Sequence, residues 1–194
     1  LRSCVDLIFK APGVRLTSLY GPEHGVRGEY TAGEIIGSTI DPLTYLKVYS
    51  LFGSTRKPTK EMLEGIDVLV YDIQDIGSRS YTFISTLGLA MEAAAENNIP
   101  FIVLDRPNPI GGIRIEGSLV EKDFISFVSQ YPIPYVHGMT VGELAMFLNG
   151  EGLLKNGVKC NLKVVKMSGW KRDMRFDETG LPWVPSSPHI PQSV

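Results

Sequence analysis

With 194 residues, 43% of them hydrophobic and 21% charged, the chain is long enough to bury a substantial core in one α/β-sized domain and too apolar to stay disordered. Nineteen Lys and Arg against 21 Asp and Glu leave a formal charge of −2, which excludes a global field drawing the chain to nucleic acid or an anionic membrane. The longest apolar runs, Ile66 to Tyr71 and Phe101 to Leu104, fall far short of the roughly 20 residues that span a bilayer, so no membrane span is expected.

Leu1, Cys4, Val5, Ile8 and Phe9 recur at the spacing of one helix face, and Pro12-Gly13 stops that helix. An α/β domain rarely opens on a helix, so a first strand is expected to be missing ahead of it. Strand-like runs follow at Val14 to Tyr20, Lys47 to Phe52, Asp67 to Ile73, Phe101 to Leu104 and Cys160 to Met167. Most are continuously apolar, as in a sheet covered on both faces. Between the third and fourth, Phe83, Ile84, Leu87, Met91 and Ala94 form a helical stripe that ends at Asn97-Asn98, completing a βαβ unit. Thr140 and Glu143 have the spacing of a capping box and open another helix; Thr31 and Glu34 would open a shorter one. Cys4 and Cys160 belong to no paired motif and read as small buried apolar residues. The far end, Pro182 to Pro191, trails off in prolines, and the opening residues do not reveal the compartment.

Strands alternating with helices imply a mostly parallel, doubly wound sheet with helices on both faces, and ligands of such sheets bind beyond the carboxyl ends of the strands. The polar clusters fall there. GPEHGVRG, residues 21–28, sets Glu23, His24 and Arg27 among glycines that permit positive φ and close backbone approach. It matches neither a dinucleotide nor a P-loop pattern. The next strand delivers Asp72, Gln74, Asp75, Arg79 and Tyr81 in YDIQDIGSRSYT. Alternation puts Asp72 and Gln74 on one side and Asp75 on the other, so the two aspartates need not share a task. One can hold a turn or pair with Arg79 while the other faces a ligand. DRPNPIGG then offers Asp105, Arg106 and Asn108, stiffened by Pro107 and Pro109. Glu116 follows a short extended run, His137 precedes a helix cap, and His189 stands in the Pro-rich tail.

Together the stretches LYGPEHGVRG, KPTKEMLEGIDVLVYDIQDIGSRSYTFISTL, AMEAAAENNIPFIVLDRPNPIGG, EGSLV, YPIPYVHGMTVGEL and GWKRDMRFDETGLPWVPSSPHIP resemble the NamZ-type exo-β-N-acetylmuramidases. Val26, where that family usually has an aromatic residue, and His189, where it often has Asn, depart from the pattern. The resemblance implies a Rossmann-like amino-terminal catalytic subdomain over residues 1–194, with an extended tail at about 168–194. It also implies a carboxyl-terminal subdomain of the same full-length protein as partner, with the substrate cleft between the two. The implied activity is release of N-acetylmuramic acid from the non-reducing end of peptidoglycan fragments, outside the cytoplasm, without metal or organic cofactor.

Glycoside hydrolysis needs a proton donor and a second group that attacks, activates water or steers the substrate's own acetamide. Glu23 is the candidate acid, His24 its tuning or relaying neighbour, and Asp72 or Asp75 the second carboxylate. Arg27, Arg79 and Arg106 are candidates to hold the lactyl carboxylate of the sugar by bidentate hydrogen bonds. Gln74, Tyr81, Asp105, Asn108, Glu116 and His137 complete the expected substrate contacts. Two other classes compete. A metal-dependent hydrolase using His24, His137, Asp72 and Asp75 lacks the usual ligand spacings, whereas a non-catalytic sugar- or anion-binding protein would draw on the same polar groups.

Overall fold

The computed structural model describes residues 2–35 and 37–187; Leu1 and His189 lie outside them. Helices and strands run in the order α1 (Cys4–Phe9), β1 (Leu19–Gly21), β2 (Thr39–Ile40), β3 (Lys47–Ser50), β4 (Leu69–Tyr71), α2 (Phe83–Glu96), β5 (Phe101–Leu104), α3 (Val141–Gly150) and β6 (Leu162–Val165). The α/β class and the βαβ unit are as the sequence implies. Pairing divides the strands into two three-stranded sheets. In the first, ordered β1-β3-β2, β1 runs parallel and β2 antiparallel to β3; in the second, ordered β4-β5-β6, every pair is parallel.

The β-branched and aromatic run Phe101-Ile-Val-Leu104 takes the central place in the second sheet, where Phe101 and Val103 are fully buried. Ile84, Leu87 and Met91 of α2 and Leu144 and Leu148 of α3 meet that face of the sheet in one core cluster. Each such side chain contributes about 1.5–3 kcal/mol by leaving water. The Glu92 carboxylate is buried beside this core. Glu92 accepts from the Lys155 amide at 2.8 Å and lies 3.4 Å from the Lys57 ammonium, which answers the cost of burying its charge. At the start of α3 the Thr140 hydroxyl accepts from the Glu143 amide and the Glu143 carboxylate accepts from the Thr140 amide, completing the capping box. At the end of α2, Asn98 adopts φ 54°, the left-handed stop that Asn tolerates.

Several expectations need correction. Only Leu19–Gly21 of the first run pairs as a strand, so Val14 to Ser18 leads in unpaired, and the other runs shorten to the residues that find partners. β2 gave no warning, being two exposed residues long. No side chain of α1 is buried, so its apolar stripe is not a core face, and Cys4 is half-buried beside Asp72 rather than enclosed like Cys160. Thr31 to Glu34 forms a turn, with the Glu34 carboxylate accepting from the Thr31 amide and hydroxyl, and no helix follows. The second sheet is buried on one side only, as Val70 and Val165 remain exposed. From residue 168 the chain is less extended than its prolines suggest. It turns at Lys171–Met174 and again at Phe176–Thr179, and Arg172 fastens it to the carbonyls of Gly112 and Gly138.

Gly88 is buried in the middle of α2, where an added Cβ would run into the hydroxyl of Tyr131. Alanine normally helps a helix by up to about 1 kcal/mol relative to glycine, but overpacking costs about 1–3 kcal/mol. Gly88→Ala is therefore expected to lower the thermal midpoint by roughly 2–10 °C in a circular-dichroism melt, with partial recovery on adding Tyr131→Phe. A raised midpoint would mean that the ring does not press on the helix.

Candidate active site

The loop after β1 meets the start of α2, into which the loop after β4 leads, and the loop after β5 lies against the loop after β4. After β1 the chain turns tightly, with the Gly25 amide donating to the Pro22 carbonyl at 3.0 Å. That turn holds His24 at φ 73°, a conformation that costs a residue with a Cβ about 1–2 kcal/mol. Two bonds to Tyr30 enforce it. The Tyr30 amide donates to the His24 carbonyl at 3.2 Å, and His24 Nδ1 lies 3.0 Å from the Tyr30 carbonyl. A carbonyl only accepts, so Nδ1 carries the proton and Nε2 is the basic nitrogen. The ring stacks on Tyr81 at 6.3 Å and meets the edge of Phe83 at 6.1 Å.

Glu23 is held at both oxygens. Oε1 accepts from the Gly33 amide at 2.9 Å and Oε2 from the Thr82 hydroxyl at 2.6 Å. Thr82 occupies the N-cap position of α2, yet its hydroxyl caps nothing and turns to Glu23 instead. Glu23 thus sits at the amino-terminal end of α2.

The loops after β4 and β5 cross-link each other. Asp72 Oδ1 accepts from Arg106 Nε at 2.6 Å, and Gln74 Nε2 donates to the Pro107 carbonyl at 2.8 Å. As alternation demands, Asp75 faces elsewhere: its Oδ2 accepts from the Gly77 amide at 2.8 Å, and its Oδ1 is buried with no hydrogen-bond partner. Asp105 serves structure, with Oδ1 accepting from the Arg106 and Gly142 amides and Oδ2 from the Thr140 hydroxyl. Burial raises its carboxyl above the ordinary value, against the pull of those donors. Asn108 is also enclosed, accepting from the Ile110 amide and donating to the Met139 carbonyl at 2.9 Å.

Tyr81 joins the first loop to the second. Burial raises its phenol, the side chains of Ser186 and Ser187 pull the other way, and the charges of Asp75 and Glu23 raise it further. Glu23, His24, Asp75 and Tyr81 therefore share one neighbourhood. Thr82, Ser186 and Ser187 belong to it as well. Of these only Thr82, a hydroxyl at a helix start, left a trace in the sequence.

The three arginines differ in availability. Arg27 is engaged by Asp41 at 2.6 Å and Asp6 at 3.0 Å. Arg79 is buried, with its guanidinium donating to the Ser118 and Ile133 carbonyls at 2.5 and 2.7 Å. Arg106 is 39% exposed, and among the described residues its Nη groups have no hydrogen-bond partner. Glu116 is exposed and paired with Arg114, whereas His137 is buried 3.6 Å from Asp75. Beyond β5 and β6 a groove of about 340 Å³ is lined by Pro107, Met167, Trp170, Met174 and Leu181. Among the described residues no three His, Cys, Asp or Glu side chains stand together as metal ligands, and no helix is long and apolar enough to cross a membrane.

The family model of the N-terminal part of exo-beta-N-acetylmuramidase NamZ matches residues 1–194. A Bacillus subtilis (strain 168) protein named peptidoglycan beta-N-acetylmuramidase NamZ is 55% identical over 191 residues, covering 98% of this chain and 45% of that protein. The crystal structure of a DUF1343 family protein from Bacteroides fragilis superposes with a TM-score of 0.92 at 62% identity, covering 99% of this chain and 48% of that one. A second DUF1343 family structure from the same organism gives 0.78 at 32% identity, covering 90% and 45%. The chain spans just under half the length of these relatives.

Arg27 holds the Asp41 carboxyl well below the usual range, chiefly by its hydrogen bond, and that lowering stabilises the fold at neutral pH. Arg27→Ala is expected to cost about 1–2 kcal/mol in a urea melt at pH 7, the smaller share of a charged hydrogen bond because the guanidinium is partly solvated. The gap from wild type should narrow as pH falls below about 4, where the unfolded chain takes up the Asp41 proton and the folded chain resists. An equal gap at pH 7 and pH 3 would dissociate Asp41 from the effect.

Proposed function

The chain belongs to the NamZ exo-beta-N-acetylmuramidase family, matching its N-terminal part, and we propose that it carries the acid–base machinery of a glycosidase that releases N-acetylmuramic acid from the non-reducing end of peptidoglycan fragments. The observation that carries this reading is that two unlike carboxylates, Glu23 and Asp75, both act on Tyr81. Glu23 is held in place by Thr82 and Gly33, and Asp75 keeps one oxygen without a partner. A glycosidic oxygen needs a proton as its bond breaks, and Glu23 supplies it. His24, whose basic Nε2 is set by the bond from Nδ1 to Tyr30, relays the proton on that side. Asp75 is the second group, by attack, by activating water, or by steering the acetamido oxygen of the substrate. Asp72 is less suited to that part, because Arg106 occupies its Oδ1.

The lactyl carboxylate goes to Arg106, whose outer nitrogens stay open while its Nε is anchored on Asp72. On this reading the working enzyme acts outside the cytoplasm, with the carboxyl-terminal half of the full-length protein closing the cleft.

In the full-length enzyme Glu23→Gln is expected to retain the fold and lower kcat by about 100-fold or more, the usual scale for a general acid. Near-normal turnover would remove Glu23 from the reaction. A charge-assisted contact contributes about 1.5–3 kcal/mol, so a muramic acid glycoside should be preferred over its N-acetylglucosamine counterpart by roughly 10- to 150-fold in kcat/KM. Arg106→Ala should abolish that preference and spare activity on the uncharged sugar. If the preference survives in Arg106→Ala, the anchor lies elsewhere.

A further inference from the structure

His137 and Asp75 stand on different loops, yet their side chains are buried together, at 1% and 8% exposure, with His137 Nε2 3.6 Å from Asp75 Oδ2. Their polar atoms are incompletely matched. Asp75 Oδ2 accepts from the Gly77 amide and His137 Nδ1 accepts from the Met139 amide at 3.2 Å, while Asp75 Oδ1 and His137 Nε2 have no hydrogen-bond partner. An amide only donates. Nδ1 must therefore hold the lone pair, and the proton of the neutral ring lies on Nε2, facing the carboxylate.

The chain around His137 is pinned on both sides. Val136 and Glu116 exchange backbone hydrogen bonds at 2.9 and 3.0 Å, the Arg79 amide donates to the Tyr135 carbonyl, and Asn108 Nδ2 donates to the Met139 carbonyl. Closing by roughly 0.5 Å would bring Nε2 within ordinary hydrogen-bond distance of Asp75 Oδ2. Oδ2 would then take two donors, Gly77 and His137. That leaves Oδ1 as the oxygen without a donor, on a carboxylate whose charge acts on Tyr81.

We propose that His137 is a positioning residue: through its Nε2–H it fixes the Asp75 carboxylate so that Oδ1 meets the substrate. The proposal rests on the reading of Asp75 as the second carboxylate of the glycosidase.

The test uses the full-length enzyme with a muramic acid glycoside and the variants His137→Asn, His137→Gln, Asp75→Asn and the double variant Asp75→Asn/His137→Asn. Asn can replace the acceptor facing Met139 but not the donor facing Asp75; Gln can place an amide donor near Nε2. His137→Asn is expected to lower kcat about 10- to 100-fold with little change in KM, the scale of a misplaced catalytic group. His137→Gln should recover at least part of that loss at an equal or lower melting temperature. The double variant should be no slower than Asp75→Asn alone, because His137 acts only through Asp75. Normal turnover by His137→Asn beside an inactive Asp75→Asn, or additive losses in the double variant, would overturn the positioning role and leave the glycosidase reading intact. Normal turnover by Asp75→Asn, or an inactive wild type, would overturn the reading beneath it. Should His137→Asn not fold, the nitrogen-15 spectrum of wild-type His137 decides: a proton on Nδ1 rather than Nε2 at neutral pH contradicts the geometry on which the proposal stands.

Discussion

One half-buried carboxylate joins the elements that frame the site. Asp105, immediately after the central strand β5, accepts from its neighbour Arg106, from the Thr140 hydroxyl and from the Gly142 amide at the first turn of α3. Those donors satisfy an anion that burial would otherwise penalise, and they set the helix N-terminus against the strand end. Gly142 makes the approach possible, since a Cβ there would collide with Asp105 and Val164. The loop that bears His137 enters α3 through Thr140, so the same carboxylate indirectly decides where that ring lies. Parallel pairing of β4 with β5 then brings the loop after β4 alongside. Arg106 with Asp72, Gln74 with Pro107, and the tight packing of Gly77 on Asn108 close the remaining gaps.

This arrangement explains why a chain of near-neutral charge places three arginines on strand-end loops. A guanidinium has five donors in a rigid fork, suited to binding several carbonyls as well as a carboxylate. Arg79 uses its fork on the carbonyls of Ser118 and Ile133, inside the protein, and Arg27 binds two aspartates from other segments. Both make loops rigid. Only Arg106 combines an internal anchor with open donors, and it is the arginine whose wall continues through Pro107 into the groove beyond β5 and β6.

Much of this was legible in the residues. The stripe from Phe83 to Ala94, the run Phe101 to Leu104 and the Thr140–Glu143 capping box each carry a local signal strong enough to set the structure, and the rule that ligand loops follow parallel strands points to the loops that the proposed site uses. What could not be read is which polar groups face inward. Asp105 and Asn108 look like ligand contacts in a linear reading, because nothing local reveals that their partners come from Thr140, Gly142 and Met139, more than 30 positions away. The capping signal at Thr31 failed for a related reason. The Glu34 carboxylate answers the Thr31 amide as a capping box would, but no apolar stripe follows to reward a helix by burial, and tertiary packing supplies most of a helix's stability. The same shortage of partners leaves the stripe of α1 half in solvent.

The three acids nearest the proposed chemistry are set apart by what holds them, and that is how one site assigns different work to chemically similar groups. Glu23 is bracketed by two neutral donors at a helix start, Asp72 is balanced by a cation, and Asp75 is enclosed with one oxygen unmatched. The two histidines complement them by carrying their neutral-form protons on opposite nitrogens, His24 on Nδ1 toward a carbonyl and His137 on Nε2 toward a carboxylate. Each tautomer follows from a single backbone group, the Tyr30 carbonyl in one case and the Met139 amide in the other. The stiffness of these loops, with their prolines, positive-φ glycines and guanidinium clamps, is therefore a condition of the chemistry as much as of the fold.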